Sequence, residues 1–318
     1  MQLYLAPMEE ITGYVFRNVL ERHFGGVDKY FTPFITPNQN NIMKTKDGRE
    51  INSEHNKGKN VVIQVLTKEP EHFCEILPLL YDLGYREFNL NLGCPSKTVV
   101  KKYKGSGMLR DEVLLESFLK EMYEKSFKLY TDISISVKTR VGYDTEDNFA
   151  QILEIYNEFP ISELIVHPRI QKDFYSGKPR MEAFDIAVKN AIMPLGYNGD
   201  IVDLESYNRL ISDYGDRLSS VMIGRGAIRN PGIFREIKTG EKMSMQELRD
   251  FMDDLYETYS VEYGEMDGMF KLKEVWFYVK DNFIDIEKQM KAIRKAKNKM
   301  EYLAMVREIF QNAAMINA

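Results

Sequence analysis

The chain has 318 residues, 44% of them hydrophobic, with a net charge of -5. That is enough apolar material for a large buried core, so a disordered chain is excluded, and the acidic balance excludes nucleic-acid binding through the average field: any RNA contact must come from local basic patches. Two cysteines, Cys74 and Cys94, do not make a disulfide-stapled secreted fold, the opening MQLYLAPMEE lacks the basic and apolar regions of a secretory signal, and no apolar run nears the roughly 18 residues of a membrane span, so a cytoplasmic protein is expected.

Eight short runs rich in aliphatic and aromatic residues follow one another: Leu3 to Met8, Tyr30 to Phe34, Val61 to Leu66, Glu87 to Leu92, Ile133 to Thr139, Glu163 to His167, Met193 to Tyr197 and Ser220 to Gly224. Each is followed by a stretch of helical spacing, and several are almost continuously apolar, as strands of a parallel sheet covered on both faces should be. Eight βα units predict a (β/α)8 TIM barrel. The second strand is the weakest, because FTPFI contains Pro33, and the polar segment from Asn38 to Asn60 reads as a long loop. After Pro231 the strand signals stop, and MSMQELRDFMDDLYETYSVEY opens a run of amphipathic helices. The predicted organisation is a barrel over 1–240 and a smaller all-α domain over 241–318.

In such barrels the chemistry collects where the strands end and the βα loops begin. Met8-Glu9, Gln64, Asn91 with Cys94, Lys138 with Arg140, His167 with Arg169, and Asn198 to Asp200 all fall at such ends. One polar residue there is readily a satisfied structural group, but this many at one barrel face point to a site. Gly224-Arg225-Gly226 follows the last strand, where glycine lets backbone N–H groups approach a phosphate; with Asn198-Gly199-Asp200 it matches the phosphate site that barrels build from their last two loops. No G-x-G-x-x-G fingerprint occurs in a strand-to-helix setting, which favours FMN over a tightly held dinucleotide. Lys138 reads either as a cation for the reduced ring or as a surface lysine at a strand end. His167 reads as a phosphate or base contact or as an orienting hydrogen bond. Cys94 sits in the polar loop Asn91-Leu-Gly-Cys-Pro-Ser96 and is a functional candidate, whereas Cys74 lies on an amphipathic pattern and reads as packing. The two lack zinc-site spacing, and no metal is expected.

An ordered set of motifs resembles the tRNA-dihydrouridine synthase family: APM at Ala6 to Met8, NLGCPSK at Asn91 to Lys97, GSGMLRD at Gly105 to Asp111, VKTRVGYD at Val137 to Asp144, HPR with FYSGK at His167 to Lys178, YNGDI at Tyr197 to Ile201 and MIGRGAIRNPGIF at Met222 to Phe234. The chain departs from the commoner pattern in HPR and in the residue after Pro231. The resemblance implies an FMN barrel followed by a helical RNA-binding domain. It places Pro7, Met8 and Glu9 against the flavin ring, Gln64 and Lys138 at its polar edge, His167 in contact with the flavin, Asn198, Gly199, Asp200, Gly224 and Arg225 around its phosphate, and Asn91 on the target uracil. It also implies that NADPH or NADH reduces the flavin, that hydride passes to uracil C6, and that Cys94 protonates C5 from the other side. A thiol suits the role of acid because it is mostly protonated at neutral pH. Lys97, Lys101 and Lys102 in the Cys94 loop, Arg169, and Lys291, Arg294 and Lys295 in a helical stretch without an acidic residue are the expected tRNA contacts, although a solvated helix face is the plainer account of the last three. A flavin enzyme acting on a small molecule, or an RNA-binding protein without catalysis, are the rival readings.

Overall fold

The computed structural model describes residues 1–37 and 42–316. Eight parallel strands among them close into a barrel in chain order: β1 (Gln2–Leu5), β2 (Lys29–Phe31), β3 (Val61–Val65), β4 (Glu87–Leu92), β5 (Ser134–Arg140), β6 (Leu164–His167), β7 (Leu195–Asn198) and β8 (Ser220–Ile223). The Gln2 N–H donates to Ser219 O at 3.0 Å beside the closing seam. All five residues of β3 are buried, the double coverage expected of a parallel sheet. Helices alternate with the strands: α1 (Tyr14–His23), α2 (Lys46–Ile51), α3 (Pro70–Asp82), α4 (Lys97–Val100) with α5 (Glu112–Leu129), α6 (Phe149–Asn157), α7 (Met181–Asn190) and α8 (Leu204–Tyr214). After β8 the chain is helical, with α9 (Arg225–Arg229), α10 (Ile233–Thr239), α11 (Met245–Tyr263), α12 (Glu265–Val279), α13 (Glu287–Lys295) and α14 (Lys299–Asn312).

Three sequence expectations need correction. β1 stops at Leu5 rather than Met8, and β2 at Phe31 rather than Phe34, because Pro7 and Pro33 have no N–H for the ladder. The expected loop from Asn38 to Asn60 begins with four residues outside the described ones, and its remainder holds a 3-10 turn over Ile42–Lys44 and the helix α2. That helix is six residues long and contains a glycine, too short for a periodic signal, yet Thr45 caps it by accepting the Gly48 N–H.

Strand register shows which side chains face inward. Tyr4, Phe31, Val62, Ile165 and Met222 form one apolar cluster inside the barrel. Residues paired across a parallel ladder share a face, so the pairs Gln64 with Asn89, Asn89 with Ser136, Asn91 with Lys138, Lys138 with Ile165, Arg140 with His167, and Asn198 with Met222 extend that inner row. Beyond the apolar cluster, towards the strands' C-terminal ends, the inner row is largely polar, as it is again at the N-terminal ends with Lys29, Glu87 and Ser134.

The chain divides into two compact units. The first comprises Met1–Pro7, Asp28–Gly199 and Leu210–Met222, and holds nearly all of the barrel. The second comprises Met8–Val27, Asp200–Arg209 and Ile223–Ala318 and is helical. In it α11 starts at a capping box between Ser244 and Glu247, and the buried Trp276 donates its indole N–H to Tyr302 Oη at 2.9 Å.

Candidate active site

Cys94 follows β4 in a loop fixed from several sides. Its N–H and that of Gly93 both donate to Asn91 Oδ1, at 2.9 and 3.1 Å. Its carbonyl accepts from the Ser106 N–H at 3.1 Å and the Ser106 hydroxyl at 2.9 Å. Gly105 permits that approach: its φ is +57°, and a Cβ there would lie 2.8 Å from Cys94 O. The Arg140 guanidinium donates to Gly93 O at 2.9 Å, and Gln171 Nε2 donates to Pro95 O at 2.8 Å. The thiol thus sits, half-buried, on a backbone with little freedom.

Asn91 also starts a buried relay through the barrel. Its Nδ2 donates to Gln64 Oε1 at 2.7 Å, Gln64 Nε2 to Asn89 Oδ1 at 2.8 Å, Asn89 Nδ2 to Ser136 Oγ at 2.9 Å, and Ser136 Oγ to Phe88 O at 3.1 Å. Every donor points the same way, so each amide's orientation is set by the next and the bonds polarise one another. Asn91, at the mouth end of the relay, is 7% exposed, whereas Gln64 is fully buried behind it.

The three cations of this face differ. Arg140, buried, spends its donors on Gly93 O, Ile170 O and Phe174 O, and burial pulls its pKa down to about 10. Arg169, also buried, donates to Ser176 O at 3.1 Å, Gly177 O at 2.5 Å and His167 Nε2 at 3.0 Å. An accepting Nε2 puts the ring proton of His167 on Nδ1. Lys138 makes no hydrogen bond or ion pair with the described residues, although its ammonium lies deep in the protein and only part of the side chain meets solvent. Desolvation, then the nearby Arg140, pulls its pKa down to about 7, against a smaller opposing effect from Cys94. A buried cation left with unused donors fits a ligand that brings negative charge.

A family model described as dihydrouridine synthase (Dus) matches residues 4–316. The chain belongs to the dihydrouridine synthase family. Among curated relatives, tRNA-dihydrouridine synthase B of Shewanella oneidensis is 28% identical over 288 residues, covering 87% of this chain and 86% of the relative. A probable tRNA-dihydrouridine synthase of Staphylococcus epidermidis is 32% identical over 242 residues, covering 73% and 70%. Among solved structures, morphinone reductase superimposes with a TM-score of 0.52 at 10% identity, over 76% of this chain and 87% of that one. Histamine dehydrogenase from Rhizobium sp. 4-9 gives 0.59 at 12% identity, over 84% and 49%. At these identities the two structures show the barrel fold alone.

The first unit brings together Gln64, Asn91, Cys94, Lys138, His167 and Arg169 on the polar inner row or the loops that continue it. Asn198, at the end of β7, is tied by Nδ2 to Met222 O at 2.8 Å, and Gly199 has no room for a side chain, since a Cβ would meet the Tyr197 hydroxyl at 2.0 Å. Lys97, Lys101 and Lys102 are exposed on and after α4. Pro7 belongs to this unit, whereas Met8, whose N–H donates to Thr12 Oγ1 at 2.7 Å, and Glu9 belong to the second. There Arg225 pairs with Asp200 at 2.5 Å, Gly224 precedes α9, and Gly226 lets the 200–202 backbone pass so closely that a Cβ would lie 2.0 Å from Ile201 O. Lys291, Arg294 and Lys295 are exposed on α13, opposite the buried Met290 and Ile293, and make no ion pair among the described residues.

Sequence reasoning passed over Asn89, Ser136 and Tyr175. Asn89 lies two residues before Asn91 and therefore on the same strand face, a usable signal; Ser136 was reachable only through the register of β4 and β5. Tyr175 is half exposed, with Arg140 5.4 Å from its ring centroid and His167 6.3 Å away, a stacking surface that one aromatic in a loop does not announce. No group of His, Cys, Asp and Glu suited to a metal occurs among the described residues, and none of their helices is long and apolar enough to cross a membrane.

Proposed function

We propose that the protein is an FMN-dependent tRNA-dihydrouridine synthase that uses NADPH or NADH. The family match over residues 4–316 carries this reading, and the unpartnered Lys138 beside a pinned cysteine supports it. The donor set suits a flavin: Gln64 and Lys138 for the ring, the latter without a hydrogen bond or ion pair among the described residues, and closely packed glycine segments at 198–200 and 224–226 for a phosphate. When bound, FMN would supply the two-electron chemistry that links the nicotinamide cofactor to the C5–C6 double bond of uracil.

The chain's own residues account for the rest. Lys138 holds positive charge near the ring edge, and an anionic ligand raises its proton affinity from the depressed value of the free protein. Asn91 offers its remaining N–H to a uracil carbonyl. Cys94 gives its thiol proton to C5 as negative charge develops there, and solvent restores it; the pinned backbone keeps the sulfur within reach of one ring position. Arg169 holds His167 in one tautomer and ties down the 176–177 backbone, which is how it serves the site. Pro7, Met8 and Glu9 would serve the flavin ring, and Asn198, Gly199, Asp200, Gly224 and Arg225 would hold its phosphate.

The target base must leave the RNA stack to reach the thiol, at an unstacking cost of a few kcal/mol, so binding must supply that energy. Residues 1–240 form the flavin barrel in this reading, and 241–318 the RNA-binding domain, with Lys291, Arg294 and Lys295 on phosphates together with Lys97, Lys101 and Lys102 of the barrel loop. Mapping dihydrouridine in total RNA from cells with and without the protein tests the assignment. Loss of the modification at discrete tRNA positions is expected. An unchanged map, or a protein that releases no FMN on denaturation, overturns it.

A further inference from the structure

Lys68, Glu69 and His72, at the end of β3 and the start of α3, face Lys101, Lys102, Tyr103 and Lys104 across a recess of about 390 Å³ in the first unit. Its charge is strongly one-sided. Among the described residues Glu69 is the one acid lining it and pairs with Lys68 at 3.2 Å, while Lys101, Lys102 and Lys104 have no ion pair there. Burial, and then the field of Lys102, holds the Lys104 ammonium below its ordinary pKa. The walls carry mutual repulsion that an anion between them relieves.

The aromatic member has a rigid backing. Tyr103 adopts φ +57°, and the residue is 41% exposed. Arg110 stands with its guanidinium carbon 4.5 Å from the ring centroid, and is itself held by Val100 O at 2.6 Å and Gly107 O at 2.9 Å. A supported, exposed ring beside a cationic recess is how single-stranded nucleic acid is bound: stacking for a base, charge for the backbone. An acidic peptide gives no reason for the ring. The recess also shares a loop with the thiol, because Lys101 to Lys104 run directly into Gly105-Ser106, which packs on Cys94 O.

We propose that this recess seats a backbone phosphate of the RNA and that Tyr103 stacks on an adjacent unpaired base, fixing the strand's register relative to Cys94. The proposal rests on the RNA-modifying reading and adds Lys68, His72, Tyr103 and Lys104 to it. The test measures the tRNA affinity of the flavin-loaded protein over a range of salt for wild type, Lys68→Ala/Lys104→Gln and Tyr103→Ala. The double variant should bind several-fold more weakly, with the slope of log affinity against log salt shallower by about one unit, since a lost phosphate contact removes its counterion release. Tyr103→Ala should weaken binding with the slope unchanged, because stacking releases no counterions. Flavin content, and the rate of flavin reduction by NADPH, check folding in each variant. Unchanged affinity and slope in the double variant overturn the proposal. So does a raised KM for NADPH with tRNA binding intact, which would assign the recess to the nicotinamide cofactor's phosphate. A wild-type protein that forms dihydrouridine while the double variant binds tRNA normally contradicts this inference alone; a wild type that neither binds nor modifies tRNA removes the RNA reading and this proposal with it.

Discussion

The cations at the barrel mouth and those on α13 have opposite circumstances. Arg140 and Arg169 are buried and each donates to three partners, backbone carbonyls or His167, whereas Lys138 makes no hydrogen bond or ion pair with the described residues. Lys288, Lys291, Arg294 and Lys295 stand in solvent without an ion pair among the described residues, two of them in the last turn of their helix where the dipole favours positive charge. A charge near chemistry has to be desolvated and held in place, whereas a charge that attracts a polyanion works best when hydrated and mobile. Position and partners therefore say more about function than the net charge of -5.

The two regions should separate cleanly under mutation, with effects on turnover falling in a definite order. Cys94→Ala should lower dihydrouridine formation by about a hundredfold or more, the usual worth of a positioned acid, while flavin reduction by NADPH keeps its rate. Stopped-flow timing of the two half-reactions checks this, and normal turnover would show that another group or water supplies the proton. Lys138→Met should cost much of the bound flavin yet stabilise the flavin-free protein. The sign follows from a folded pKa of about 7 set against the ordinary 10.5: the unfolded chain binds the extra proton between these values, so the penalty for burying the charge is full below about 7 and fades as pH rises towards 10.5. Melting temperatures of the two flavin-free proteins should differ most below pH 7 and converge above it; a constant difference would contradict a buried charge as the cause.

Asn89→Leu breaks the relay behind Asn91 without touching the mouth. It should lower the rate of the tRNA half-reaction by about tenfold through misplacement of Asn91 and the Cys94 loop, with flavin reduction less affected. Equal slowing of both halves would make the relay merely structural. The smallest effect on turnover belongs to α13. Replacing Lys291, Arg294 and Lys295 with alanine should leave kcat unchanged at saturating tRNA, raise KM, and flatten the salt dependence by up to about one unit per lost phosphate contact. Salt-independent kinetics identical to wild type would return that face to plain solvation.

Much of the mouth was legible in the sequence because strand ends carry a recognisable mark: a polar residue within or at the close of the last few positions of a short apolar run, as at Gln64, Asn91, Lys138 and His167. The βα rhythm gave eight strands for the same reason. Strand limits at Leu5 and Phe31 were missed, although Pro7 and Pro33 carried the information. What stayed hidden depends on register and on contacts distant in sequence. Ser136 joins the relay only once β4 and β5 are aligned, Lys68 and Lys104 meet only when two βα loops fold side by side, and the commitment of Arg169 to His167 and two carbonyls is invisible in the string HPR.

The most direct test reduces the flavin-loaded protein anaerobically, removes the nicotinamide cofactor, and mixes it with tRNA lacking dihydrouridine while following flavin absorbance and modified nucleoside together. Reoxidation of the flavin should coincide with the appearance of dihydrouridine, one for each flavin at most, and free uridine should leave the flavin reduced. A flavin that stays reduced in the presence of tRNA, or that is reoxidised equally well by free uridine, would contradict the account.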